Sequence, residues 1–237
     1  MGAFDVTVSA VVVAAGSGTR LGGGPKQFRV LGDRPLLAWS CGLFASHPDI
    51  GKLVVVLPEE LAGRPPDWLG NYGATIVPGG STRRRSVGRG LSAAGESEFV
   101  LIHDAARPFA SADLVSRLVA AARGHGATIP VLELSDAVKQ VEAASPEAHI
   151  TGTLDRSLLR AAQTPQIFPL DRIRELHEQA ERGARDAPDD AALFESAGMP
   201  VRTIVGERWA FKITHPEDLA LAEWLVATAR VRPADGS

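Results

Sequence analysis

With 237 residues, 45% of them hydrophobic and 22% charged, the chain is long enough to bury a sizeable core, and its composition excludes the fibrous and disordered classes. A formal net charge of -3 gives no general attraction to nucleic acid or to an anionic membrane, so any anion must be held by local clusters and a small substrate is expected. Cys41 is the single cysteine, which excludes an intrachain disulfide and a cysteine-based metal site; with no leader-like start and no run of roughly 20 apolar residues, a soluble cytoplasmic protein is expected.

Val8 to Ala14 is an apolar, β-branched run that predicts a buried strand. It feeds directly into Ala15-Gly16-Ser17-Gly18-Thr19-Arg20-Leu21-Gly22-Gly23-Gly24-Pro25-Lys26-Gln27-Phe28. Glycines lack a Cβ, so several backbone N–H groups can turn toward one anion, while Arg20 and Lys26 add full positive charge; the loop is expected to hold a polyphosphate. A P-loop is excluded because Lys26 lies between Pro25 and Gln27 rather than in Gly-Lys-Ser/Thr. A dinucleotide fingerprint is excluded too, since Gly16, Gly18 and Gly22 are spaced G-x-G-x-x-x-G and no acidic residue ends a second strand to take a ribose. The plain alternative is a surface turn between a strand and a helix.

Further strands are expected at Leu53-Leu57, Thr75-Val77, Phe99-Ile102, Thr128-Leu132 and Val201-Val205. They alternate with segments of helical period at Leu36-Ala45, Ser86-Ala94, Leu114-Ala122, Ile173-Ala180 and Leu219-Ala229. Parallel neighbours need a crossover of a dozen or more residues, so this alternation predicts an α/β fold with a mostly parallel central sheet covered on both faces.

Four further clusters carry chemistry. In Pro78-Gly79-Gly80-Ser81-Thr82-Arg83-Arg84-Arg85-Ser86 a glycine pair precedes a helix start that Ser81 or Thr82 would cap, and its free N–H groups can bond a base, ribose or phosphate. Three consecutive arginines cannot all face one ligand from a helix, so at least one is expected in solvent. Leu101-Ile102-His103-Asp104-Ala105-Ala106-Arg107-Pro108-Phe109 places polar groups at the carboxyl end of a strand, where open α/β sheets bind ligands; Asp104 is a candidate to meet a metal ion or to cap a turn, and His103 reads as a packed core residue. Asp155-Arg156 precedes Gln163-Thr164-Pro165-Gln166, and Arg156 can grip a phosphate through two parallel N–H bonds. Asp189-Asp190 opens a helix and reads as a complement to its dipole. Finally, Phe211-Lys212-Ile213-Thr214-His215-Pro216 reads as a strand edge leading into a helix, with Lys212 directed to the cleft. Arg20, Lys26, Arg107, Arg156 and Lys212 are therefore candidates for a multi-anion cleft. No Ser/His/Asp or Cys/His set emerges, which favours phosphoryl or nucleotidyl transfer over a covalent hydrolase.

The stretch from Asp136 to Thr153 breaks the alternation with two short extended pieces around a turn at Pro146. It is expected to form an arm that dimerises with another subunit, or else a hairpin packed on its own domain. Residues from Val231 onward read as a disordered tail, and the whole as one domain.

Ala14-Ala15-Gly16-Ser17-Gly18-Thr19-Arg20 with Pro25-Lys26-Gln27-Phe28, His103-Asp104-Ala105-Ala106-Arg107-Pro108, Thr164-Pro165-Gln166 and Lys212-Ile213-Thr214 with Pro216-Glu217-Asp218-Leu219 resemble, in this order, the 2-C-methyl-D-erythritol 4-phosphate cytidylyltransferases. The resemblance spans nearly the whole chain. It implies a Rossmann-like, GT-A-like nucleotidyltransferase fold, a homodimer joined by a β-arm, and a magnesium-dependent reaction of CTP with the polyol phosphate. It further implies that Val13, Ala14, Ala15, Gly16, Gly80, Ser81, Ser86 and Ala105, with Gly18 of the glycine loop, hold the nucleotide. By the same carry-over Arg20 and Lys26 stabilise the transition state, Arg156 and Lys212 place the attacking phosphate, and Asp104, Arg107 and Thr164 stand beside it. Two positions depart from the family pattern, Ala137 and Pro188, where threonine is usual. A lost hydroxyl contact is worth roughly 0.5 to 1.5 kcal/mol, so the usual polyol phosphate is kept as the expected substrate. The competing readings are a cytidylyltransferase for another alditol phosphate such as ribitol 5-phosphate, and a catalytically silent nucleotide-binding subunit. A glycosyltransferase is disfavoured by the lack of an Asp-x-Asp motif at a strand end.

Overall fold

The computed structural model describes residues 7–16, 25–145, 147–183 and 187–234. Of the expected glycine loop, residues 17–24, with the called Gly18 and Arg20, lie outside the described residues, as do Pro146 of the arm turn and 235–237 of the tail; 231–234 carry no helix or strand.

In chain order the elements are β1 (Val8–Val13), the short hairpin β2 (Val30–Leu31) and β3 (Arg34–Pro35), α1 (Leu36–Ser46), β4 (Ile50–Leu57), α2 (Glu59–Ala62) and β5 (Thr75–Pro78). Then follow α3 (Arg83–Ala93), β6 (Phe99–Asp104), α4 (Ala112–His125), β7 (Thr128–Glu133), β8 (Val138–Val141), β9 (Ile150–Leu154) and β10 (Arg160–Ala162). The chain closes with β11 (Gln166–Pro169), α5 (Leu170–Arg182), α6 (Ala191–Ser196), β12 (Arg202–Val205) and α7 (Pro216–Ala227).

The main sheet has eight strands in the order β10-β7-β11-β6-β1-β4-β5, with β12 also paired to β7. The pairs β1·β4, β1·β6, β4·β5 and β7·β12 are parallel, as the alternation predicts. β10 and β11 run antiparallel and carry no strand signal in the sequence, because both are too short to show a period and β11 lies between Pro165 and its own last residue Pro169. β1 pairs with β4 on one side and β6 on the other, with Val13 opposite both Val56 and Asp104. Strand order reverses there, and a crevice opens beyond the carboxyl ends.

The pleat sends alternate side chains of β1 to opposite faces. Val8, Ala10 and Val12 join Leu37, Cys41 and Phe44 of α1 and Leu114 and Leu118 of α4 on one face. Val11 joins Val87 and Leu91 of α3, Ile173 of α5 and Phe194 of α6 on the other. α3 lies so close to the sheet that a Cβ on Gly90 would stand 2.4 Å from Val11 Cγ1 and 2.9 Å from Val56 Cγ2. A third cluster, Leu31, Leu36, Trp39, Phe109, Ile213 and Leu225, fastens the β2–β3 hairpin and α7 to the body. α1 is buried on nearly every side, so it shows no amphipathic stripe.

β8 and β9 form a separate antiparallel ribbon, and Val141, Ile150 and Leu154 on it are exposed. Among the described residues no helix is long and apolar enough to cross a membrane.

Candidate active site

A cleft of about 500 Å³ lies beyond the carboxyl ends of β1 and β6. Val13, Ala14, Ala15, Gly16, Gly80, Ser81, Ser86 and Ala105 line it together with Lys26, Asp104 and Lys212, so eleven sequence-derived candidates share one cavity. Thr164, Arg107 and Arg156 are not among the lining residues.

The floor is backbone. Ala14 N donates to Val56 O (2.8 Å) and Ala105 N to Val13 O (3.1 Å), which carries the sheet ladder past the ends of β1 and β6. Gly79 N donates to Leu57 O at 2.7 Å, and a Cβ on Gly79 would stand 2.2 Å from Ala15 Cβ; only glycine lets these two loops meet. Ser86 Oγ accepts from Gly80 N (3.1 Å) and donates to Thr82 O (2.9 Å), so this buried hydroxyl shapes the loop rather than standing free as a nucleophile. Thr82 caps α3 by accepting from Arg85 N at 3.1 Å, one of the two caps expected. The described end of the glycine loop is tied down by Gln27, whose buried amide donates to Ala14 O.

Cations line the cleft as well. Lys26 Nζ donates to Ile213 O (2.8 Å) and Lys212 Nζ to Asp104 Oδ2 (2.7 Å), so side chains 186 positions apart in the chain border one wall. Lys212 lies in irregular chain rather than on a strand edge; Ile213 N donating to Ala106 O (2.8 Å) seats this segment against the end of β6.

Arg83, left open among three arginines by sequence, also lines the cleft. Its Nε donates to Asp104 Oδ1 (3.0 Å) and its Nη2 to Asp190 Oδ2 (2.8 Å). Arg84 and Arg85 turn to Glu181 instead, and Arg85 is half exposed. The signal was the cap: with Thr82 as N-cap, Arg83 takes the first helical position, nearest the sheet end. Burial would raise the Asp104 carboxyl, yet Arg83 and Lys212 hold it well below the usual carboxylate range. Burial would likewise lower the Arg83 guanidinium, and the carboxylates of Asp190 and Asp104 raise it instead.

Behind the cleft, Thr164 Oγ1 accepts from Asp104 N (3.0 Å) and lies 3.2 Å from His103 Nδ1. His103 Nε2 lies 3.1 Å from Arg107 O, a pure acceptor, so Nε2 carries the proton and Nδ1 receives the Thr164 hydroxyl. Burial pushes this ring down to about 4, and it stays a neutral core residue. Arg107 donates to Ala210 O (2.8 Å) and Ala162 O (3.4 Å), stapling β6 to later chain. Arg156 follows β9 and donates to Leu134 O and Ser135 O, outside the cleft of its own chain.

Asp104 is the one carboxylate lining the cleft among the described residues, and no group of three metal-ligating side chains occurs among them. Both of its oxygens accept from cations, so a divalent ion on them would face two positive groups already within 3.0 Å. These residues do not fit a metal held by the protein itself.

A doubly wound sheet with a cationic cleft at its switch point and no cleft-lining histidine or cysteine among the described residues is the architecture of a nucleotidyltransferase. Residues 8–228 match the family model described as IspD, 2-C-methyl-D-erythritol 4-phosphate cytidylyltransferase, and the chain belongs to that family. It is 44% identical over 225 residues to the 2-C-methyl-D-erythritol 4-phosphate cytidylyltransferase of Thermus thermophilus, covering 94% of this chain and 98% of that one. It is also 44% identical over 220 residues to the bifunctional enzyme IspD/IspF of Rhodopseudomonas palustris; there it covers 91% of this chain but only 54% of the relative, about half its length. The crystal structure of the Thermus thermophilus enzyme superposes with a TM-score of 0.77 at 42% identity, covering 94% and 99% of the two chains. The 4-diphosphocytidyl-2C-methyl-D-erythritol synthase of Anaerococcus prevotii gives 0.82 at 28% identity, covering 94% and 97%.

Proposed function

We infer that this protein transfers a cytidylyl group from CTP to 2-C-methyl-D-erythritol 4-phosphate. An oxygen of the polyol phosphate attacks the α-phosphorus of CTP, a new P–O bond forms in line, and the bond to the β-phosphate breaks so that pyrophosphate leaves with the electron pair. The nucleophile is already an anion and no general base is required; the difficulty is to bring two polyanions together while charge builds on the α-phosphate. The observation that carries this reading is the wall on which Lys26, Lys212 and Arg83 meet above a backbone floor. Lys26 supports the charge that develops on the triphosphate, Lys212 meets the incoming phosphate, and the Gly79–Gly80 loop, held by Ser86, receives base and ribose. Arg20 is assigned the same role as Lys26 on the strength of the family motif.

Magnesium belongs in this reading as the counter-ion that CTP brings, part of the substrate. We further propose a cytoplasmic single-domain protein that works as a homodimer through the β8–β9 ribbon. Exposed Val141, Ile150 and Leu154, with Leu158 83% exposed just beyond, support a second copy there. Arg156 sits at the ribbon's base and outside its own cleft, which supports its acting in the cleft of that second copy. The test is pyrophosphate release from CTP with 2-C-methyl-D-erythritol 4-phosphate and, separately, ribitol 5-phosphate. The first is expected to turn over at least tenfold faster in kcat/KM; preference for the second overturns the substrate, and CTP binding without release overturns the enzyme.

A further inference from the structure

We propose that Asp190 is a positioning residue for the transfer: acting through Arg83 and Asp104, it fixes where the Lys212 ammonium stands over the cleft, a reading that rests on the activity inferred above. The juxtaposition is a row of alternating basic and acidic side chains from four separate segments, ended by a histidine from a fifth. Lys212 Nζ meets Asp104 Oδ2 at 2.7 Å, Arg83 Nε meets Asp104 Oδ1 at 3.0 Å, and Arg83 Nη2 meets Asp190 Oδ2 at 2.8 Å. His177 Nε2 closes the row at 3.0 Å from Asp190 Oδ1. Lys212, Asp104 and Arg83 line the cleft whereas the Asp190 side chain is only 2% exposed, so the row starts at the cleft and ends in the interior.

Asp190 does not line the cleft and has no means of touching the reacting atoms. Nor does its carboxylate cap α6. That task falls to Asp189, whose Oδ1 accepts from Ala192 N at 3.0 Å while Oδ2 accepts from the Gln166 amide at 3.0 Å. Of the two acidic residues before the helix, one serves the helix and the other is turned inward and buried. A buried carboxylate is costly unless it is paired, and here its partner is the guanidinium that also grips Asp104.

The guanidinium is a rigid planar fork, and gripping a different carboxylate on each side sets its plane. Without charge at position 190, Arg83 can pivot to take both oxygens of Asp104. Lys212 then loses its seat on Oδ2. Displacement of about 1 Å at a reacting group costs on the order of a hundredfold in rate.

The experiment compares wild type, Asp190→Asn and Arg83→Lys in pyrophosphate release, with circular dichroism and CTP titration on each. Asn keeps the shape without the charge; Lys keeps the charge but replaces the planar fork with a compact ammonium, which does not fix the two carboxylates in one plane. The expected result is a kcat loss of about tenfold to a hundredfold in both, with CTP affinity within twofold and an unchanged fold. A purely structural role would lower Tm and leave kcat alone. If Asp190→Asn does not fold, Asp190→Glu decides, since it keeps the charge at position 190, displaces it by one methylene and leaves Arg83, itself a cleft residue, unchanged. An active wild type with kcat within twofold in the folded variants overturns the positioning role alone. A wild type that releases no pyrophosphate with any polyol phosphate overturns the functional reading and this inference with it.

Discussion

Lys212 donates to Asp104 across 2.7 Å although the two are 108 positions apart, and Arg83 occupies the other oxygen of the same carboxylate. Asp104 is thus a seat shared by two cations, and in the proposed reaction the Lys212 ammonium held there meets the incoming phosphate. Lys212→Ala leaves Asp104 paired to Arg83 and the fold intact, but withdraws a preorganised charge from the attacking group. The expected outcome is a fall in kcat of about 10² to 10³, read by pyrophosphate release, with Tm little changed.

His103 links the site to stability. Its ring is neutral in the folded state, with a pKa of about 4 against an ordinary 6.5, so between these values the unfolded chain binds more protons than the folded one. Stability is therefore full above pH 6.5 and is lost as pH falls toward 4, by on the order of 3 kcal/mol from this residue. Asp104, held low by its cations, adds a loss of the same sign below the ordinary carboxylate range. Thermal melts of wild type and His103→Gln between pH 7.5 and 4.5 check this. The variant is expected to show a clearly shallower decline, and equal slopes would exclude the assignment.

Gly79 is where two loops touch. Gly79→Ala places a methyl 2.2 Å from Ala15 Cβ and 3.1 Å from Leu57 O, so either the nucleotide floor opens or β1 shifts. The expected cost is about 1 to 3 kcal/mol in stability together with weaker CTP binding, measured by melts and by titration calorimetry. Gly88→Ala, with nothing within 4 Å of the new methyl, is the control and is expected to be neutral or stabilising.

Much of this is legible in the amino-acid sequence. The β1 strand, the glycine pair before α3 and the polar end of β6 each join a strand signal to residues that only a strand end can use, so periodicity and chemistry agree. The ribbon is legible because its short extended pieces interrupt helical period, whereas whether a second copy covers it is not, because exposed Ile150 reads the same in a free hairpin as in an interface. Arg83 was hidden in a run of three identical residues, where composition gives no ranking and only the helix start picks one. Asp190 was hidden by Asp189: adjacent carboxylates look alike, and the direction each takes depends on an arginine more than 100 positions away. Lys212 was placed near the site but on the wrong local structure, since Phe211-Lys212-Ile213 has strand residues yet gets its order from the Ile213–Ala106 bond and the apolar seat of Ile213.

The placement of Arg156 outside its own cleft leads to a subunit-mixing prediction. Arg156→Ala and Lys26→Ala are each expected to be nearly inactive alone. In a mixed dimer one cleft gathers both defects and the other gathers neither, so equal mixing with exchange should restore about a quarter of wild-type activity. Activity no greater than the sum of the two parents, with exchange verified by mass spectrometry, would contradict a shared site.

In the proposed reaction fixed cations on one wall carry the charge that builds as pyrophosphate departs. This is read in the single-turnover rate of cytidylyl transfer by Lys26→Ala at saturating CTP and 2-C-methyl-D-erythritol 4-phosphate. Here the chemical step is read apart from binding. A rate lowered by about 10² to 10³ is the expected result. A rate equal to that of the wild type, in a folded variant that binds CTP normally, would contradict it.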